Sequence, residues 1–193
     1  MGARRDMMKM EGNYPDEVIL QAIQKYEIEV ERQRPLDYQI KIRNKTVVLA
    51  DREIYPNITM RLPKFFAVKK GEEIESGYLI RNHPEMIFTS ACGTVNFTFD
   101  TIMVANILQI RKELIDLMGQ RYPQNTIYEQ GIERELCWFD YKSFAADADV
   151  YNMMFLFPYQ EKTVIGSFKC AFCDYMQWKY YVLKMLETIE EKN

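Results

Sequence analysis

The sequence lacks the short motifs by which most enzyme classes are recognised. It contains no Gly-x-Ser-x-Gly, no phosphate-binding loop of the Walker type and no Gly-x-Gly-x-x-Gly, and its eight glycines are dispersed singly. Histidine, a frequent acid–base catalyst near neutral pH, occurs only once, at His83. These absences exclude the nucleophile, phosphate and dinucleotide classes that a sequence can reveal. We therefore predict a non-enzymatic protein with no catalytic residues, no metal and no cofactor.

Long apolar runs and a strong charge of one sign are also missing. No stretch approaches the roughly 18 apolar residues of a membrane-spanning helix, so we predict no membrane insertion. The first residues, MGARRDMMKMEG, carry charge without an apolar stretch behind it, which predicts a cytoplasmic location. The net charge is only -3 and the basic residues are scattered among acids, so we predict no nucleic-acid partner.

The four cysteines include one Cys-x-x-Cys, formed by Cys170 and Cys173. This pair lies where an alternating apolar run meets a helix, and a helix N-terminus lowers the pKa of a thiol. A thioredoxin-type domain needs several more strands and helices behind the motif, whereas one helix of chain remains. Cys92 and Cys137 stand alone, so the spacing of a structural zinc site is missing. We interpret the pair as packing, and keep a thiol-dependent redox protein as the alternative.

The length and composition predict one folded domain with an extension. Apolar residues make up 48% of the chain and charged residues 27%, as in globular proteins. We predict a flexible N-terminus over residues 1–13, an N-terminal helix over 14–35 and a single α+β domain over 36–193. No internal repeat or Gly/Ser linker divides this last range.

The predicted N-terminal helix is amphipathic. Apolar side chains recur at three-to-four spacing at Ile19, Ile23, Tyr26 and Val30, and the opposite face is charged. Pro35 ends the pattern. We predict that this apolar stripe contacts a partner protein.

Beyond residue 35 the pattern is mainly of period two, which predicts antiparallel strands. The predicted strands lie near residues 38–42, 58–62, 85–90, 95–99, 126–134, 136–144, 151–157 and 163–172. Two further helices are predicted, one capped by Asp100 or Thr101 and ending near Gly119, and one from Asp174 to Ile189. Strands clustered between separated helices predict an α+β fold in which helices sandwich an antiparallel sheet as α/β/α layers.

The order of these segments resembles a known superfamily. It is carried by "NITMRLPKFF", the helix "ILQIRKELIDLM", then "LCWFDYKSF", "VYNMMFLFPYQEKTVIGSFKC" and the closing "WKYYVLKMLETI". Over roughly residues 54–191 the chain is similar to the Mog/PsbP/DcrB-like superfamily, in which helices sandwich an antiparallel sheet and the last helix contains a tryptophan. Members act as a Ran-GTPase partner, photosystem extrinsic subunits, bacterial lipoproteins and Eag-type chaperones of secreted effectors.

The resemblance implies a non-catalytic binding scaffold. We expect a cytoplasmic adaptor, a secretion-type chaperone or a subunit of a bacterial assembly, whose partner is another protein; the chain could also form a homo-oligomer. The expected docking surface is an exposed sheet edge, used by strand addition, or the groove beside the first helix. A redox protein using Cys170 and Cys173, or a small-molecule-binding domain with a pocket between sheet and helix, remains the alternative.

Overall fold

Eleven strands and two α-helices form the described part of the computed structural model, which covers residues 36–42, 44–70, 83–104, 106–145 and 148–192. The strands are β1 (Gln39–Ile42), β2 (Lys45–Tyr55), β3 (Ile58–Pro63), β4 (Ala67–Lys70), β5 (Met86–Thr89), β6 (Asn96–Ile102), β7 (Thr126–Glu133), β8 (Leu136–Phe144), β9 (Asp149–Tyr159), β10 (Lys162–Ala171) and β11 (Glu190–Glu191). The helices are α1 (Ile107–Arg121) and α2 (Tyr175–Leu186), and a 3-10 turn, Phe172–Asp174, leads into α2.

The strands form two antiparallel sheets. The smaller sheet has the order β1-β2-β3-β11, and the larger sheet has the order β4-β5-β6-β10-β9-β8-β7. The contiguous run from β7 to β10 consists of neighbours in sequence, whereas the pairing of β6 with β10 joins distant parts of the chain. As a result β7 lies at one edge of the larger sheet and β4 at the other.

Alternation along the central strands gives the larger sheet two apolar faces. On one face Cys137 and Leu156 lie opposite each other and cluster with Ile110 of α1. On the other face the rings of Phe168 and Trp178 of α2 lie 5.5 Å apart within the main core. Burying both faces of a strand explains the near-continuous apolar run of β9.

The predicted α+β fold with a mainly antiparallel sheet is confirmed, and β8 has the predicted bounds. The predicted start of α1 is wrong: β6 continues to Ile102, and Asn106 caps the helix by accepting from the backbone N–H of Gln109. Val104, which the predicted start would include in the helix, precedes α1 and is exposed. No helix of the described residues is long and apolar enough to span a membrane.

Candidate functional site

The strand β7 forms one edge of the larger sheet and is exposed along most of its length. Among the described strands β7 pairs with β8 alone. It is eight residues long, and the exposed fractions of Ile127, Tyr128 and Ile132 are 37%, 46% and 54%. An unpaired edge presents a row of backbone donors and acceptors to which another chain can add a strand.

The hairpin geometry determines which amides of β7 face outward. Glu133 and Leu136 pair across the two-residue turn Arg134-Glu135, and such a turn is closed by a hydrogen-bonded pair. Bonded and non-bonded pairs then alternate along the ladder, so the N–H and C=O groups of Gln130 and Ile132 point away from β8. A bulge shifts the register between Ile127 and Gln130, which leaves Gln130 to Glu133 as the regular part of the edge.

The other sheet edges carry features that discourage strand addition. The strands β1 and β4 are four residues long, and β11 has two. Lysine side chains also occupy β1 and β4, at Lys41, Lys69 and Lys70. Short edges and edge lysines are common protections against unwanted pairing. The longer β7 contains no lysine, which distinguishes it from these edges.

A glycine in β7 makes room for a tryptophan of β8. Gly131 lies opposite Trp138, and a Cβ atom at Gly131 would be 2.5 Å from Trp138 Nε1. The indole therefore covers the strand backbone itself, which only glycine permits at this separation. The guanidinium of Arg111, in α1, donates to the Gly131 carbonyl over 3.1 Å. Together these contacts fix β7 against the rest of the sheet.

A buried ionic network holds β7 and β8 to α2. Asp140 has no exposed surface, and its carboxylate accepts from the Glu129 backbone N–H (2.7 Å), the Tyr151 hydroxyl (2.8 Å) and Lys179 Nζ (2.6 Å). Lys179 also bonds the Glu129 carboxylate over 3.0 Å. Burial, followed by the Asp140 charge, raises the pKa of Tyr151, so its hydroxyl remains a donor. These three partners lie on β7, β9 and α2, so the network supports β7.

A cleft of about 450 Å³ lies at the turn end of β7, where the two sheets meet the C-terminus of α2. Its apolar lining comes from both sheets, α2 and the segment that follows α2. These side chains are Ile58, Leu136, Phe157, Pro158, Leu186 and Ile189. Its charged lining consists of Glu133, Arg134, Glu135, Glu187 and Glu191. The cleft thus joins an apolar floor to a predominantly acidic rim.

The residues predicted to contact a partner, Ile19, Ile23, Tyr26 and Val30, lie outside the described residues, as do the predicted flexible segment 1–13 and helix 14–35. The stripe remains a prediction. The exposed edge of β7 is a site that the sequence did not locate.

The two cysteines of the Cys-x-x-Cys differ in environment. Cys170 is buried in the main core, as the packing interpretation predicted, and desolvation raises its pKa. Cys173 is exposed in the 3-10 turn, so packing does not account for it. All four cysteines are described, and none is in a disulfide. Since a thiolate is the reactive form, the burial of Cys170 opposes its use as a nucleophile; the redox alternative stays a prediction.

An activated thiol lies at another position, in the turn before β6. Hydrogen bonds from Ser90 and then Thr94 lower the pKa of the exposed Cys92 to about 7. The Thr94 hydroxyl lies 3.0 Å from the sulfur. The sequence contains a signal for this thiol, because Ser-x-Cys-x-Thr places a hydroxyl on either side of it. No group of three or more potential metal ligands occurs within the described ranges.

Alkylation by iodoacetamide is expected to modify Cys92 with a rate that rises through about pH 7 and then levels off, because the thiolate is the nucleophile. Peptide mass spectrometry between about pH 5 and pH 9 measures this profile. Cys170 should stay unmodified in the folded protein. Thr94→Val is the control, which should move the midpoint to higher pH. A rate for Cys92 that still rises steeply at about pH 9 contradicts the assignment.

The fold of the chain was compared with those of known proteins. No family model matches the chain, and no curated protein matches it. The fold is similar to the solution structure of cyanobacterial PsbP (CyanoP) from Synechocystis sp. PCC 6803, with a TM-score of 0.53 and 8% identity over 75% of this chain and 92% of that one. The chain also matches PA94 from Pseudomonas aeruginosa, a protein of unknown function described as a putative regulator, with a TM-score of 0.46 and 7% identity over 75% and 98% of the two chains.

The predicted resemblance is therefore confirmed for the PsbP-like fold. At 8% identity the likeness to CyanoP concerns the fold alone. The residues that a partner would contact must accordingly be argued from this chain.

Proposed function

We propose that this chain is a non-catalytic protein-binding module that accepts a strand of its partner at the outer edge of β7. The observation that carries the proposal is the eight-residue edge with exposed Ile127, Tyr128 and Ile132 and no described strand beyond it. Backbone hydrogen bonds to the outward groups of Gln130 and Ile132 would supply affinity, and the exposed side chains would supply selectivity.

The proposal includes the finer predictions made from the sequence. In it α1 and α2 cover the two faces of the larger sheet and hold β7 in place as a rigid template. The module acts in the cytoplasm as an adaptor, a secretion-type chaperone or a subunit of a bacterial assembly. The stripe of Ile19, Ile23, Tyr26 and Val30 would provide a second contact to the same partner. A rigid edge favours binding because less conformational entropy is lost on docking.

Gln130→Pro is expected to reduce recovery of the partner about tenfold or more, because proline removes an outward N–H and its ring obstructs an added strand. The ladder to β8 does not use this N–H, so the fold should persist. The measurement is affinity capture of the tagged full-length protein from its host, with quantitative mass spectrometry of the recovered proteins.

The matched control is Gln130→Val, which changes the same exposed side chain but keeps the N–H. It should recover the same host protein as the unmodified chain. Thermal unfolding of all three proteins shows that they are folded. Equal recovery by Gln130→Pro and Gln130→Val would falsify strand addition at β7, and the absence of any stoichiometric protein would contradict the protein-binding function.

A further inference from the structure

We propose that the cleft at the turn end of β7 receives a lysine or arginine side chain of the strand that adds to β7. This inference rests on the proposed function and specifies the chemistry of the partner. The partner segment is then an extended peptide with a basic residue at the end that lies beside Glu133.

The cleft lies at the end of the edge strand. Glu133 is the last residue of β7 and also lines the cleft. The turn residues Arg134 and Glu135 form the next part of the lining, followed by Leu136, the first residue of β8. A strand that follows the outward groups of Gln130 and Ile132 therefore has its terminal side chains near residues that line the cleft.

The charges around the cleft favour a cation. Four glutamates and one arginine line it, which gives a net formal charge of -3 (one positive minus four negative). Lys184 Nζ lies 3.0 Å from the Glu187 carboxylate and offsets one of these charges. The remaining carboxylates belong to Glu133, the last residue of β7, to Glu135 in the turn that follows, and to Glu191. An acidic rim attracts a basic partner and disfavours an acidic one.

The apolar lining of the cleft suits the methylene stem of a lysine or arginine side chain. Ile58, Phe157 and Leu186 are buried core residues whose surfaces form the base of the cleft. Lysine and arginine place a methylene stem on apolar surface while the charged head reaches a polar or acidic rim. A volume of about 450 Å³ accommodates such a side chain together with a neighbouring residue of the same strand. The combination of floor and rim therefore selects an aliphatic cation over an anion or a purely apolar group.

Synthetic peptides test the inference on the full-length protein. Each peptide has about ten residues of alternating valine and threonine, the length of a long strand, and carries at one end two lysines, two norleucines or two glutamates. Both orders of the sequence are used, so that either strand direction is represented. Isothermal titration calorimetry measures the dissociation constants. The lysine peptide of one orientation is expected to bind about fivefold more tightly than its norleucine counterpart, which keeps the stem but lacks the charge.

Substitutions of the glutamates on the rim test whether the preference for the lysine peptide arises in the cleft. Glu133→Gln with Glu135→Gln should abolish the advantage of the lysine peptide. The control pair, Glu113→Gln with Asp116→Asn, changes the net charge equally on the exposed surface of α1 and should leave the advantage intact. A loss of the advantage in both double variants would indicate general electrostatic attraction and overturn the inference.

The outcomes separate the inference from the function on which it rests. If lysine and norleucine peptides bind equally and Gln130→Pro weakens both, strand addition stands and the cleft inference is wrong. If no peptide binds, both are wrong. If n-butylamine alone competes fully with the lysine peptide while Gln130→Pro has no effect, the cleft is a site for free amines, and the strand as its occupant is contradicted.

Discussion

Asp140→Ala is expected to lower the free energy of unfolding by about 3 kcal/mol or more, one of the two largest effects that we predict for a single substitution in this chain. The substitution removes the acceptor of three hydrogen bonds and leaves the Tyr151 hydroxyl and Lys179 ammonium in a largely buried site. A buried donor without an acceptor costs the full desolvation of that group. Urea unfolding followed by tryptophan fluorescence measures the change.

An exposed ion pair provides the control for this substitution. Lys142 and Asp149 form a salt bridge in which the aspartate side chain is 45% exposed. Asp149→Asn should change the stability by less than about 1 kcal/mol, because solvent screens such pairs. If Asp140→Ala costs no more than Asp149→Asn, then the network around Asp140 does not hold β7 and β8 to α2 in the way described.

Gly166→Ala is expected to destabilise the protein by about 1–3 kcal/mol or more, because a methyl group at this position has no room. Gly166 is buried in β10, which pairs on both sides, and a Cβ atom there would lie 2.0 Å from the Phe155 ring. A central strand cannot move aside without disturbing two ladders, so Phe155 must leave its position in the core. The decrease of the thermal midpoint, together with the urea midpoint, measures the effect.

Gly119→Ala is the matched control, since it adds the same methyl group to a different environment. Gly119 lies in α1, and no atom would lie within 4 Å of its Cβ. Alanine in a helix is favoured over glycine, so this substitution should stabilise the protein by about 0.5–1 kcal/mol. Equal effects of the two substitutions would show that Phe155 does not lie over Gly166 as described.

Local apolar patterns in the sequence were sufficient to predict most of the described strands. The bounds of β8 agree with the prediction, and β5 lies within the predicted range 85–90. In contrast β2 was not predicted, because its burial pattern is irregular and charged residues interrupt the alternation at Asp51, Arg52 and Glu53. A strand of this kind is formed by its neighbours in the sheet, and its own sequence does not specify it.

The candidate site depends on strand order, which local patterns do not contain. The strand β7 was predicted, but its place at a sheet edge follows from the pairing of β6 with β10 between residues far apart in sequence. The stabilising role of Asp140 likewise depends on a long-range contact, its salt bridge with Lys179 of α2. The environment of Cys170 was predictable because alternation alone places it on the buried face, whereas Cys173 lies beyond the strand, where alternation gives no information.

The central claim is that a partner adds a strand to the outer edge of β7. Amide hydrogen exchange of the full-length protein, alone and in complex with the captured partner, tests this claim most directly. The account predicts that the amides of Gln130 and Ile132 exchange rapidly in the free protein and become strongly protected in the complex. Unchanged rapid exchange at both amides in a saturated complex would contradict the claim.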